Sequence, residues 1–157
     1  HHDLPRVTLP LEALEARDFV PVRAMAGLPL GMSAHVVYEA LDPVFPATIS
    51  APVIRYLREE LAFDGLLMTD DIGMNALGGS MEERTARARA AGCDVVLHCS
   101  GILMEMQAVA GAAGTLEGAA RTRAGAALAA RRTPVAIDIA ALEAEFEALG
   151  DAVEGQA

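Results

Sequence analysis

The sequence predicts an α/β chain built on parallel strands, and three observations carry that expectation. Three short runs are apolar almost without interruption: 28–37 (LPLGMSAHVV), 65–70 (GLLMTD) and 94–99 (DVVLHC). Continuous rather than alternating apolarity is what strands buried on both faces of a parallel sheet require. Helical patterns separate the runs, which is the repeating order of α/β folds. The least expected polar residues fall at the carboxyl ends of the runs, where such folds collect their functional groups.

Taken in order, residues 10–26 read as a helix kinked at Pro21, since an interior proline removes a backbone hydrogen bond. The first strand, 28–37, breaks at Ser33-Ala34-His35. Ser50 is a candidate N-cap for a helix over 51–61, with Pro52 in its first turn and Val53, Ile54, Leu57 and Leu61 on one face. The second strand, 65–70, ends in Thr69-Asp70-Asp71. Ser80 and Glu83 form a capping-box pattern for a helix that runs to Ala91 and stops at Gly92. The third strand, 94–99, ends in His98-Cys99-Ser100, and helical stretches follow over 103–113, 116–131 and 139–149. One domain over 1–150 is expected, with 151–157 as a disordered tail. Three strands cannot close a barrel, which takes roughly 250 residues when complete. The pattern therefore fits either a doubly wound sheet or part of a barrel. The chain opens at His1-His2-Asp3 without Met and reads as a segment of a longer one.

Composition narrows the partners. The 157 residues are 53% hydrophobic and 22% charged, too apolar for a disordered chain. No apolar run approaches the roughly 18 residues of a membrane-spanning helix, and no secretory signal opens the chain. Twelve basic residues, all Arg, face 22 acidic ones for a net charge of -10. That argues against nucleic acid or an anionic membrane as partner. Cys93 and Cys99 are expected to be buried free thiols, being too few for a disulfide framework. The internal histidines, His35 and His98, lack metal-ligand spacing, so no zinc site is expected.

Among the polar breaks, Asp70-Asp71 is the most informative. Adjacent strand-end residues point in opposite directions, so one can face a site while the other turns to a structural partner. A carboxylate at the lip of a buried strand is costly without partners or a task. It can serve as nucleophile, general base or magnesium ligand, or both can simply cap a helix or turn. His35 and His98 read equally as hydrogen-bonded core or rim histidines. Met68, Met74, Met104 and Met106 read as core filler, the acidic run 143–147 as a solvated helix face, and Gly78-Gly79 as a loop.

The stretch Gly31-Met32-Ser33-Ala34-His35-Val36, followed by Leu41-Asp42-Pro43, Pro46-Ala47-Thr48-Ile49-Ser50 and Leu57-Arg58, resembles glycoside hydrolase family 3. The resemblance continues from Leu61 through Thr69-Asp70-Asp71-Ile72-Gly73-Met74. It fades after Glu83-Arg84 and Ala91-Gly92-Cys93-Asp94-Val95-Val96-Leu97. It is nearest to the single-domain bacterial β-N-acetylhexosaminidases and covers roughly the first hundred residues well.

The resemblance implies a (β/α)8 barrel in which the three runs are strands six, seven and eight. It implies that Asp70 is the catalytic nucleophile, with His35 and Met74 as substrate-binding residues. The acid/base of this branch is a loop histidine held by an Asp two residues before it. His1 resembles that histidine, and its Asp partner would lie upstream. The family's sugar-binding Lys-His pair and Arg would lie there too, so the segment alone is expected to be inactive. Implied in turn are a cytoplasmic retaining enzyme of peptidoglycan recycling and a small carbohydrate substrate of the N-acetylglucosaminyl-1,6-anhydro-N-acetylmuramyl class, with no metal or organic cofactor. Two alternatives remain: a family 3 β-glucosidase, and a small doubly wound domain using Asp70 and Asp71 as a magnesium or phosphoacceptor pocket.

Overall fold

The computed structural model describes residues 4–154, and side chains over 4–149. His1 therefore lies outside the described residues, as do residues 155–157 of the expected tail. The element order is β1 (Arg6–Val7), α1 (Leu11–Ala13), α2 (Val20–Ala24), β2 (Leu30–Met32), β3 (Val37–Tyr38), α3 (Ala51–Glu59) and β4 (Leu66–Met68). Four helices follow: α4 (Met81–Ala91), α5 (Leu103–Ala113), α6 (Gly118–Ala129) and α7 (Ile139–Glu154). The last turn of α7 thus extends into the residues expected to form the tail.

β2 and β4 pair in parallel, with Leu30 opposite Leu66 and Met32 opposite Met68. The 94–99 run lies on the other side of β4, but only Met68 and Val95 make a regular parallel bridge. Side chains explain why that third strand is so short. The Asp94 carboxylate takes the Leu67 N–H at 2.8 Å, and the Thr69 hydroxyl takes the Leu97 N–H at 2.9 Å. Donors that would extend the ladder are spent on these side chains. The expectation of strands buried on both faces fails for β2, where Leu30 and Met32 are 54% and 53% exposed. No strand pairs with its outer edge among the described residues. The expected strand over 28–37 is broken: β2 ends at Met32, and Val37 begins β3, which pairs in parallel with β1 in a second small sheet.

The first helical segment also departs from expectation. Its interruption is not at Pro21, which sits harmlessly in the first turn of α2 where no N–H bond is lost. It lies instead in a π-helical stretch, Leu14–Asp18, closed by the Phe19 N–H on the Leu14 carbonyl at 2.8 Å. That wider turn puts Leu14 and Phe19 into one buried cluster with Leu61. Phe19 tilts there against Tyr38 and Tyr56, with ring centroids 5.8 and 5.6 Å away.

Around the sheet the local signals hold. Ser50 caps α3 by accepting from the Val53 N–H and donates its own proton to Asp42 at 2.6 Å. The helix ends before Leu61, which is nonetheless buried. Ser80 and Glu83 make the reciprocal capping box of α4, and Gly92 ends it at a φ of 114°, open to glycine without cost. A core of Ile54, Phe63, Leu67, Ala91 and Cys93 lies between α3, α4 and the sheet. Burial pushes the Cys93 thiol up to about 11, so it stays protonated. Cys99 is exposed, not buried as expected, because its run ends in a solvent-facing turn. Met104 and Met106 are likewise exposed on α5 rather than filling a core.

Candidate active site at the strand ends

The carboxyl ends of β2, β4 and the 94–99 run meet at the Asp70-Asp71 peptide. Parallel pairing forces this, because strands running the same way deliver their following residues to one edge. Ser33 N–H bonds the Met68 carbonyl at 2.8 Å, which aligns the exits of β2 and β4. Ile72 N–H bonds the Leu97 carbonyl at 3.1 Å, which draws the turn after β4 toward the third strand end.

Asp70 is half-buried, and its Oδ1 accepts the Asp71 N–H at 2.8 Å. Its Oδ2 takes no hydrogen bond among the described residues. The carboxylate is therefore oriented by one backbone donor while its second oxygen is unengaged by protein. Asp71, which like Asp70 lies just past the end of β4, makes different contacts. Its Oδ1 accepts from Gly73 N–H at 2.9 Å and Cys99 N–H at 3.2 Å, tying the turn after β4 to the end of the third run. Two adjacent carboxylates thus have different surroundings. Asp71 ties two segments together through its Oδ1, whereas Asp70 bonds only within its own turn.

His35 is 4% exposed, and both ring nitrogens have protein partners. Nε2 lies 2.9 Å from the Asp71 carbonyl oxygen, and Nδ1 lies 2.9 Å from Thr48 Oγ1. A carbonyl only accepts, so Nε2 carries the proton and Nδ1 of a neutral ring accepts from the Thr48 hydroxyl. The Thr48 oxygen is in turn 2.9 Å from Ser33 Oγ. The result is a buried chain, Ser33, Thr48, His35, ending on the Asp71 carbonyl. All three side chains belong to buried residues, and both His35 nitrogens are engaged within the protein, Nε2 on the carbonyl of the Asp70-Asp71 turn.

Met74 is half-buried in the same turn, and its N–H bonds the Asp71 carbonyl at 3.1 Å. Arg84 of α4 closes the turn from below. Its Nη1 donates to the Ile72 and Met74 carbonyls at 2.8 and 3.3 Å, and its Nε donates to Gly79 at 3.0 Å. His98 sits on the far side, with its side chain 4% exposed between Asp71 and Glu105. Two partners of the site escaped the sequence reading. Thr48 lay inside the Pro-Ala-Thr-Ile-Ser motif but reads alone as a helix-flanking threonine. Glu105 carries no local signal, since only the fold brings α5 to His98. Among the described residues no three His, Cys, Asp or Glu side chains group as a metal site.

The Glycosyl hydrolase family 3 N terminal domain model matches residues 1–130. A beta-hexosaminidase of Alkalilimnicola ehrlichii is 46% identical over 105 residues, covering 64% of this chain and 30% of that protein. One from Xylella fastidiosa is 43% identical over 118 residues, covering 71% and 35%. The chain thus spans about a third of the length of these curated relatives. Among solved structures, a family 3 beta-N-acetylglucosaminidase from Paenibacillus sp. aligns at a TM-score of 0.69 and 30% identity, over 88% of this chain and 30% of that one. NagZ from Neisseria gonorrhoeae, solved with N-trifluoroacetyl-D-glucosamine, aligns at 0.67 and 32% identity, over 78% and 37%. The parallel strands, the polar residues at their shared end and the match over residues 1–130 agree: the chain belongs to glycoside hydrolase family 3.

Proposed function

We propose that this chain is the last part of a (β/α)8-barrel exo-glycosidase, carrying strands six to eight, and that Asp70 is its nucleophile. The observation that carries the reading is the division of labour at the strand end. Oδ1 of Asp71 accepts two backbone N–H groups that tie the turn to the third run, while Oδ1 of Asp70 accepts only the N–H of its own neighbour, and Oδ2 of each takes no hydrogen bond among the described residues. A retaining glycosidase needs such a carboxylate, rigidly mounted beside the anomeric carbon.

In the proposed reaction an Asp70 oxygen attacks C1 of a β-linked N-acetylglucosamine. The C1–oxygen bond to the leaving group breaks, and its electron pair takes a proton from the acid/base, for which His1 is the candidate. Water then attacks C1 of the glycosyl ester, returns its proton to the same base and frees the Asp70 carboxylate. Histidine suits the acid/base task because its ordinary pKa lies near neutrality. His35 holds the Asp71 carbonyl and thereby steadies the turn, and Met74 lies in that turn as a candidate sugar contact. The substrate class favoured is β-N-acetylglucosaminides of the peptidoglycan-fragment type, N-acetylglucosaminyl-1,6-anhydro-N-acetylmuramyl compounds with or without peptide, handled in the cytoplasm. Support comes from the beta-hexosaminidase relatives and from the solved NagZ structures.

The test uses the full-length enzyme. Asp70→Asn is expected to abolish turnover of an aryl N-acetylglucosaminide while keeping the fold, because an amide cannot form the ester. Asp71→Asn is expected to leave measurable activity. A fluorosugar that traps the glycosyl-enzyme should label Asp70 in peptide mass spectrometry. Labelling of Asp71, or full activity of Asp70→Asn, would overturn the assignment.

A further inference from the structure

His98 is not used in the reaction above, yet its side chain is almost fully enclosed beside the site. Its side chain is 4% exposed. On one edge Nε2 lies 2.8 Å from Ser100 Oγ and 3.1 Å from Glu105 Oε2. The Ser100 hydroxyl gives its proton to Glu105 at 2.6 Å, so its lone pair is available to the His98 Nε2–H. Ser100, just before α5, and Glu105 in its first turn therefore grip the ring by that edge. On the other edge Nδ1 is buried and makes no hydrogen bond among the described residues. The carboxylate oxygen Oδ1 of Asp71 lies 3.5 Å from it. A buried ring nitrogen left without a partner is costly, and the group facing it is an acceptor. The contact is attractive when Nδ1 carries hydrogen, which, with the Nε2–H already engaged by Ser100 and Glu105, is the doubly protonated ring.

Gly73 gives an independent sign that this pairing is built into the turn. A Cβ there would stand 3.1 Å from Asp71 Oδ1 and 3.2 Å from both Cε1 and Nδ1 of His98. The residue is not at positive φ, so its backbone would accept alanine. Space, not conformation, is what opposes a side chain at 73: the ring or the carboxylate would have to give by a few tenths of an ångström. A methyl group would wedge between the ring and the carboxylate.

We propose that His98 is a positioning residue for the nucleophile. Its Nδ1 edge holds the Asp71 carboxylate, the Asp71 N–H holds Oδ1 of Asp70, and Glu105 with Ser100 fixes the ring from α5. The inference rests on Asp70 being the nucleophile. It assigns His98 no contact with substrate. What it supplies is angle: a nucleophile displaced by about an ångström can lose roughly a hundredfold in rate.

Asparagine and glutamine separate the two edges of the ring. An Asn amide nitrogen occupies about the place of Nδ1, toward Asp71, whereas a Gln amide nitrogen occupies that of Nε2, toward Glu105. The full-length enzyme and its H98N, H98Q and G73A variants are treated with the fluorosugar that traps the glycosyl-enzyme. The first-order trapping rate and the half-saturating concentration are then read separately. H98N should trap within about threefold of the parent rate. H98Q and G73A should trap tenfold or more slowly, with half-saturation changed less than twofold. Equal rates for H98N and H98Q, whether both fast or both slow, would overturn the proposal, as would a G73A rate matching the parent. If the histidine variants do not fold, G73A alone decides, since it leaves every polar group in place. The labelled residue keeps the two readings apart. Label on Asp70 with equal H98N and H98Q rates removes only the role of His98. Label elsewhere removes the nucleophile assignment itself.

Discussion

Single polar side chains do the joining where this fold has little regular sheet. Asp94 is the clearest case. Its carboxylate is 5% exposed and accepts from Arg58 at 2.7 Å, Arg123 at 3.1 Å and the Leu67 N–H at 2.8 Å. It thereby ties α3, α6 and β4 to the start of the third run. Arg58 also donates to the Phe63 and Gly65 carbonyls and lies over the Phe63 ring. Removing one member of such a buried set leaves the others desolvated and unmatched. Asp94→Ala is expected to cost about 3 kcal/mol, within the usual range for breaking a buried pair. Urea denaturation of the full-length protein would read this as a lower midpoint at unchanged slope. A loss under about 1 kcal/mol would show that solvent already compensates the two arginines. Asp42 shows the same economy elsewhere. Burial alone would raise it, but the Ser50 hydroxyl and the Val44 and Phe45 N–H groups outweigh burial, and its pKa is lowered from 3.8. Its contribution is therefore present above about pH 4 and lost as the pH falls through the lowered value.

At the level of elements, close approach between β2 and β4 depends on glycine at two positions. A Cβ on Gly65 would stand 2.5 Å from the Leu28 carbonyl oxygen, and one on Gly31 would stand 2.6 Å from Phe63 Cζ. The first neighbour is backbone and cannot swing away. Gly65→Ala is expected to destabilise by about 1–3 kcal/mol, the usual range for overpacking. Ser80→Ala, which removes one half of the α4 capping box, should cost about 1 kcal/mol. Thermal melts of both variants in one buffer test the order, and a smaller loss for Gly65→Ala would mean that β2 shifts freely. These elements also show what a sequence exposes. Capping at Ser50 and Ser80 and the stop at Gly92 are local chemistry, so they are legible residue by residue. The apolar runs are legible too, but their lengths as strands are not. Thr69 and Asp94 capture ladder donors only once the chain is folded. The π-helical stretch at Leu14–Asp18 hides inside a helical pattern, and Pro21 draws attention to the wrong turn. The Asp70-Asp71 pair could be read as a site from its place at a strand end. That Thr48 and His35 brace it could not, because those contacts span separations that no periodicity encodes.

For the whole molecule, three exposed apolar places lie on regular elements. Among the described residues nothing pairs with the outer edge of β2, where Leu30 and Met32 are half exposed and Met25 and Leu28 are 52% and 51% exposed. α5 exposes Leu103, Met104 and Met106, and α7 exposes Leu142, Phe146 and Leu149. A free parallel edge carries unpaired N–H and carbonyl groups, and an apolar one invites another chain to pair with it. The 157-residue chain on its own is therefore expected to associate. Sedimentation over a hundredfold concentration range should show a weight-average mass rising above the monomer. Charge on the edge gives the sharper test. Leu30→Lys with Met32→Lys should suppress association without touching the Asp70-Asp71 turn, because both side chains are exposed and lysine at an edge opposes pairing. The same double substitution in the full-length enzyme should do the opposite and destabilise it. If β2 is strand six of a barrel, its outer edge is covered there by the preceding strand, and two lysines would then be forced against that neighbour. A monomeric, cooperatively melting 157-residue chain would overturn the first expectation. A full-length enzyme indifferent to both lysines would remove β2 from the interior of a barrel.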